Sequence, residues 1–351
     1  MTQTEVPAHG IRLGVIGGGA IAQVIHLPLL RRLNGVKVTA LAETDRQKLQ
    51  ILGHQHSIPK LYSNPDDLLN DPEIDAVDIC TSTDSHFDIA MKAINAGKNV
   101  FVEKPPTVDY GQCEALAKAA EEKGRIVLAA MNNRFRADFM MLKSYITDKQ
   151  LGDVFYINAA WHKHEPSTRM HIDSRSITRR GVMLDLGIVL IDLALWLLNF
   201  PKISAVNSAF FSRKSKSITK REPGLNGKVE DTALVTIRTK GGAMIRIDAS
   251  WWLQEPNEHF HFEVYGSNGT ATLSPLVLHH RVKDELVSLT PVQNSKFENV
   301  FKRSYEAELA NFVRYLTGLK SDVPTIGQMC QVMKIVDASY TSAKRENAVK
   351  V

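Results

Sequence analysis

Ile11-Arg12-Leu13-Gly14-Val15-Ile16-Gly17-Gly18-Gly19-Ala20-Ile21-Ala22 decides the fold of this chain. The β-branched run Ile11 to Ile16 reads as a strand, and a G-x-G-x-x-A pattern follows at once. Gly17 allows a tight turn, Gly19 lets the backbone approach a pyrophosphate, and the small Ala22 lets helix and strand pack closely. Ala20 and Ile21 open a helix whose N-terminus faces the phosphates. That helix reads to about Leu33, and a second strand runs from Val36 to Ala42. Glu43 ends it, about 20 residues beyond the small residues, where a carboxylate accepts hydrogen bonds from the adenosine ribose. A carboxylate there repels a 2′-phosphate, so NAD is the expected cofactor. Arg46 nearby keeps NADP as the second candidate. An ordinary glycine turn requires neither the strand, the helix nor the spaced acid.

The alternation continues outward. Strands are expected at Ala76 to Thr81, Val100 to Val102 and Ile126 to Ala130, with helices at Phe87 to Ala96 and Tyr110 to Lys123. Such a series makes a doubly wound parallel sheet. The Thr81-Ser82-Thr83-Asp84-Ser85-His86 segment follows a strand and should line the cofactor crevice through Thr81, Thr83 and His86, although His86 also suits a helix cap. In Asn99-Val100-Phe101-Val102-Glu103-Lys104-Pro105-Pro106 the prolines stop the strand. Glu103 and Lys104 are thereby set at its carboxyl end, where open α/β sheets bind ligands.

Beyond Met131 the pattern changes. A helix over Ala137 to Ile146 precedes strand-like runs at Val154 to Trp161, Ile203 to Phe211, Asp231 to Thr239, Ala243 to Trp251, His259 to Tyr265 and Thr270 to Leu273. Gly241-Gly242 and Ser267-Asn268-Gly269 supply turns. Helices return at Ser304 to Leu316 and Gly327 to Lys344. The expectation is an α/β dinucleotide-binding domain over residues 1–131. An α+β domain with a large, mostly antiparallel open-faced sheet follows over 132–351, for substrate binding and oligomerisation.

Hydrophobic content of 44% and charged content of 23% over 351 residues are those of a globular protein of about two domains. A net charge of +5 does not call for nucleic acid as a partner. The three cysteines form no C-x-x-C pair and leave one over, which suits a reducing cytosol. The apolar run Ile188 to Leu198 is too short to span a bilayer and carries Asp192. A cytoplasmic protein without a membrane partner is expected.

Together these residues resemble the Gfo/Idh/MocA family of nicotinamide-dependent oxidoreductases, which includes glucose-fructose oxidoreductase and inositol dehydrogenase. The resemblance covers nearly the whole chain. It rests on the Gly17–Ala22 turn, Glu43, Ala96-Gly97-Lys98 leading into Glu103-Lys104-Pro105, Asn132 with Arg134-Phe135, Asp185-x-Gly187-x-x-x-x-Asp192, and Val229-Glu230-Asp231. It implies a Rossmann domain and a sheet domain that forms a homodimer or homotetramer through its open face. It also implies hydride transfer between the nicotinamide and a sugar, sugar derivative or polyol, with Lys104 and Asp185 catalytic and Lys104, Arg134 and Asp185 on the substrate. One departure stands out. The family helix usually reads D-x-G-x-H-x-x-D, with the histidine as acid/base, and this chain has Val189 there.

Valine moves no proton. Burial and an oxidised nicotinamide would lower the pKa of Lys104 toward a base for alcohol oxidation, while Asp185 would keep it charged; a charged lysine donates to a forming alkoxide and polarises a carbonyl, which biases the site toward carbonyl reduction or toward a different acid/base. The segment His162 to Arg180 offers His164 and His171 as replacements for the missing histidine. It also carries Lys163, Arg169, Arg175, Arg179 and Arg180 against Glu165 and Asp173. That balance suits either an anionic substrate group or a solvated basic loop. His162-x-His164 lacks a convincing third ligand, so no metal is expected. Two other readings stay open: an NAD-dependent glycosidase acting by oxidation and elimination, and a catalytically silent cofactor-binding regulator.

Overall fold

In the computed structural model, the run Ile11–Ile16 is an inner strand of a six-stranded sheet. The structure describes residues 10–163, 180–212, 229–252, 258–273, 275–283, 285–291 and 297–351. The sheet order is Lys60–Tyr62, Val36–Ala42, Ile11–Ile16, Ala76–Ile79, Asn99–Val102, Val127–Ala129. Every pair is parallel. The order reverses between Ile11–Ile16 and Ala76–Ile79. Open sheets of this type take their ligand in that crevice, at the carboxyl ends of the strands. These strands are buried on both faces, which is why they read as continuous apolar runs rather than alternating ones.

Helices cover the sheet and are capped by their own sequence. Asp109 accepts from the Gln112 N–H at 2.8 Å to start Tyr110–Lys123, and Gly124 ends it at φ 60°. Asp45 caps Arg46–His56 in the same way. The long helix Phe297–Leu316 also belongs to this unit: Phe312 stacks on Phe101 with centroids 4.8 Å apart, and Leu309 and Val313 join the same core. The edge strand Val127–Ala129 is covered by the 324–325 segment, through Ala129 N–H to the Pro324 oxygen and a bridge from Leu128 to Thr325.

The compact units are therefore residues 1–135 with 297–330, and residues 136–296 with 331–351. The chain passes between them three times, where the sequence leads one to expect a single passage at 131/132. An amphipathic helix carries no label for the sheet it will cover.

The second unit holds a nine-stranded sheet. From Glu285–Leu289 at one edge, its order runs through Val277–Val282, Gly269–Leu273, His259–Gly266, Val154–His162, Met244–Ser250, Thr232–Thr239 and Ile203–Phe211 to Val349–Lys350. It is antiparallel except for Val154–His162 beside Met244–Ser250. Ile157, Ala159, Val235, Ile237, Ile245 and Ile247 are buried, while Asn158, Leu234, Thr236 and Arg246 alternate with them on the opposite, open face. Helix Ile188–Leu197 is buried along its whole length and packs against Val154–His162 and Met244–Ser250.

Candidate active site

The glycine turn has the geometry its sequence demands. Gly17 has φ 96°, and a Cβ there would lie 2.8 Å from the Cys80 oxygen, so no other residue fits. A Cβ on Gly19 would meet only the Cys80 oxygen, at 3.6 Å, and otherwise stand in open space. That opening is what a pyrophosphate approaching the backbone requires. Ala20 is exposed beside it and Ile21 half-buried, at the start of a helix that widens over Ala22–His26 and continues as Leu27–Leu30.

Glu43 is fixed from several sides. Its Oε2 accepts from the Gly18 N–H at 2.9 Å and from Lys48 Nζ at 3.2 Å; its Oε1 accepts from the Asp45 N–H at 3.0 Å. Burial raises its pKa, but the backbone donors and Lys48 outweigh burial and hold it below the usual carboxylate range. Glu43 is thus a charged carboxylate tied across the glycine turn to the Gly18 N–H. Its cationic neighbour is Lys48, which sequence reading passed over in favour of Arg46.

Glu103 and Lys104 rest on a buried ion cluster. His26 Nδ1 lies 2.7 Å from Asp78 Oδ2, and His26 Nε2 lies 3.0 Å from Glu103 Oε1. Glu103 Oε2 accepts the Lys104 N–H at 3.0 Å. Burial opposes a charge on His26, yet the Asp78 carboxylate prevails and its pKa stands well above the usual value. Burial likewise raises Glu103, and the hydrogen bond from His26 turns the balance so that it lies low. His26 is accordingly an imidazolium donating to both acids. Glu308, wholly buried nearby, is pushed well up by burial and then by the Glu103 charge, so it stays neutral. The donor atoms of His26, Asp78 and Cys80 lie within 4.8 Å of one another, a spacing that metal ligands also have, but the 2.7 Å His26–Asp78 contact is that of a hydrogen bond.

His86 joins two loops at the strand ends. Its Nδ1 is 2.8 Å from the Pro105 oxygen and its Nε2 is 3.1 Å from the Thr81 oxygen; burial lowers its pKa against the pull of these two carbonyls. The helix it belongs to starts at Thr83, earlier than expected, which puts Thr83 and His86 in its first turn. Thr81 Oγ1 accepts from Ser85 Oγ at 2.8 Å. The first unit thus gathers Gly17, Gly19, Glu43, Thr81, His86, Glu103 and Lys104 around the ends of neighbouring strands. Arg134 is only 1% exposed and donates to Gln328 Oε1 at 2.7 Å, in the interior of the same unit.

In the second unit, Asp185 accepts from Trp251 Nε1 at 3.1 Å and is half-buried in an otherwise buried turn. Val189, one turn on, is 4% exposed. The turn itself hangs on Glu230, whose Oε1 accepts from the Gly181 N–H at 2.8 Å, the Met183 N–H at 3.2 Å and the Tyr340 hydroxyl. His164 and His171 lie outside the described residues, as do Arg169, Arg175 and Arg179. Lys163 and Arg180 are paired, with Glu258 at 3.6 Å and Asp337 at 2.6 Å. Sequence reasoning missed His26. The available signal was Asp78, a carboxylate inside the buried strand Ala76–Ile79, which had to find a cation.

Comparison with known proteins decides the family. The family description "Oxidoreductase family, NAD-binding Rossmann fold" matches residues 11–131, and "Oxidoreductase family, C-terminal alpha/beta domain" matches residues 143–351. The chain belongs to the Gfo/Idh/MocA oxidoreductases. As a member of that family it is an NAD(P)-dependent oxidoreductase acting on alcohol groups, and NAD is its cofactor. It is 23% identical to the D-glucoside 3-dehydrogenase of Escherichia coli K12 over 350 residues, covering 97% of each chain. It is 26% identical to the myo-inositol 2-dehydrogenase of Thermotoga maritima over 311 residues, covering 87% of each. A levoglucosan dehydrogenase crystallised with NADH and levoglucosan has the same fold: TM-score 0.85 at 20% identity, covering 97% of this chain and 99% of that one. In this Gfo/Idh/MocA chain the open space at Gly19 and the charged Glu43 are the features that fit the dinucleotide.

Proposed function

We propose that this oxidoreductase transfers hydride between NAD and a sugar, sugar derivative or polyol, working toward reduction of a carbonyl. The nicotinamide supplies the hydride. Lys104 polarises the carbonyl oxygen and gives it a proton as the alkoxide forms. Asp185 binds the substrate hydroxyls, and Val189 takes no part in proton transfer. Supporting this reading is the anchoring of Glu103, whose two oxygens bind His26 and the Lys104 N–H and so fix the lysine's backbone beside the dinucleotide turn. The test follows NADH consumption against a panel of keto-sugars and keto-polyols, neutral, acidic and phosphorylated. Lys104→Met should lower kcat about 100-fold or more while NADH still binds. Full turnover in that variant would remove Lys104 from the chemistry.

One observation favours a second reading. A buried valine at the acid/base position is what a cofactor-binding regulator would tolerate. Tight NADH binding with no turnover in either direction across the panel would favour that reading.

A further inference from the structure

Two of the three cysteines meet. Cys113 lies in the first turn of Tyr110–Lys123, buried, and Cys330 lies in the second turn of Ile326–Arg345, half-buried. Both belong to the first unit. Their sulfurs share a hydrogen bond at 3.1 Å across a sequence separation of 217 residues, and Cys113 Sγ also reaches the Ile326 oxygen at 3.9 Å. A disulfide bond is about 2.05 Å long, so each sulfur needs to move only about 0.5 Å. Cys80 does not compete. It is buried beside His26 and Asp78, with burial pushing its thiol up to about 12.

We propose that Cys113 and Cys330 form a reversible disulfide when the protein meets hydrogen peroxide, making this pair a redox modification site. The half-buried Cys330 is the attacking group. Its contact with Cys113 holds the Cys330 thiol below the usual value, while the same contact, together with burial, raises Cys113. The Cys330 thiolate attacks one peroxide oxygen, the O–O bond breaks, and hydroxide leaves and takes up a proton, giving a sulfenic acid. Cys113 sulfur then attacks the Cys330 sulfur, the S–O bond breaks, and the hydroxyl leaves with the Cys113 proton as water. Two thiols lose two electrons in all, and one peroxide becomes two waters. A dithiol reductant reverses the bond.

The cross-link would tie the helix that follows the Lys104 loop to the start of Ile326–Arg345. It closes a very long loop, so it restricts the unfolded chain strongly. The test treats the full chain with stoichiometric hydrogen peroxide, then counts free thiols and maps peptides. The expected result is a mass loss of about 2 Da, one thiol left at Cys80, and a single linked pair of peptides holding Cys113 and Cys330. The thermal midpoint should rise by about 4 °C or more, returning with dithiothreitol. Cys330→Ser should abolish all of these changes while its reduced-state midpoint stays near the parent's. Three free thiols after treatment, a bond that uses Cys80 or a second chain, or Cys330 carried to sulfinic acid would each overturn the proposal.

Discussion

At the scale of the residue, the most consequential side chain is a buried histidine beneath the strand ends. His26 holds two carboxylates, and one of them holds the backbone of Lys104. Replacing it with Leu leaves the buried Asp78 and Glu103 without the cation between them, a loss on the order of 3–5 kcal/mol. The pH dependence follows from the two shifts. His26 is raised, so its contribution is complete below the ordinary imidazole value of about 6.5 and disappears as pH rises through its folded value. Glu103 is lowered, so its contribution is present above the ordinary carboxyl value of about 4.3 and disappears as pH falls through its folded value. Thermal midpoints of the parent and His26→Leu should therefore differ most between these limits and converge on the alkaline side. A gap constant from pH 5 to pH 11 would show that His26 acts by packing alone.

At the scale of the element, the glycine turn separates two roles that one motif combines. Gly17 serves the backbone, because its φ and the Cys80 oxygen leave no alternative; Gly19 serves open space. Gly19→Val should fold with an unchanged far-ultraviolet spectrum and weaken NADH binding about 100-fold or more, since the side chain would fill the pyrophosphate's place. Retained binding in a folded variant would show that the dinucleotide lies elsewhere. The strands and the glycine turn were legible because buried parallel strands are apolar without interruption and the turn residues are chosen by φ. The supports beneath them were not. His26 on an amphipathic helix looks like any surface histidine, and Glu230 stands in a quoted motif without disclosing that Gly181, Met183 and Tyr340 are its partners. Such contacts join residues 47 to 110 positions apart, a distance over which local periodicity carries no information.

At the scale of the whole molecule, the open sheet face is the surface to test for self-association. Thr236 stands on it opposite exposed Arg246 and two residues from exposed Arg238, Leu234 stands opposite Asp248, and Tyr156 stacks on Tyr265 at 5.4 Å on the same side. A homodimer or homotetramer is expected by light scattering. Leu234→Glu should shift it to monomer without altering the spectrum of the fold, whereas a monomeric parent protein would rule out the sheet as an assembly surface.

The helix that stacks Phe312 on Phe101 has a bearing on how the protein is made. A ribosome delivers the six strands of the first sheet early, within the first 129 residues. The helix that seals them comes only after residue 296. The nascent sheet must wait for that helix while eight of the nine strands of the second sheet are translated. The nicotinamide-binding half, read from the message before most of the second sheet, is thus completed only after it, and a chain interrupted before Phe297–Leu316 would lack a finished core there.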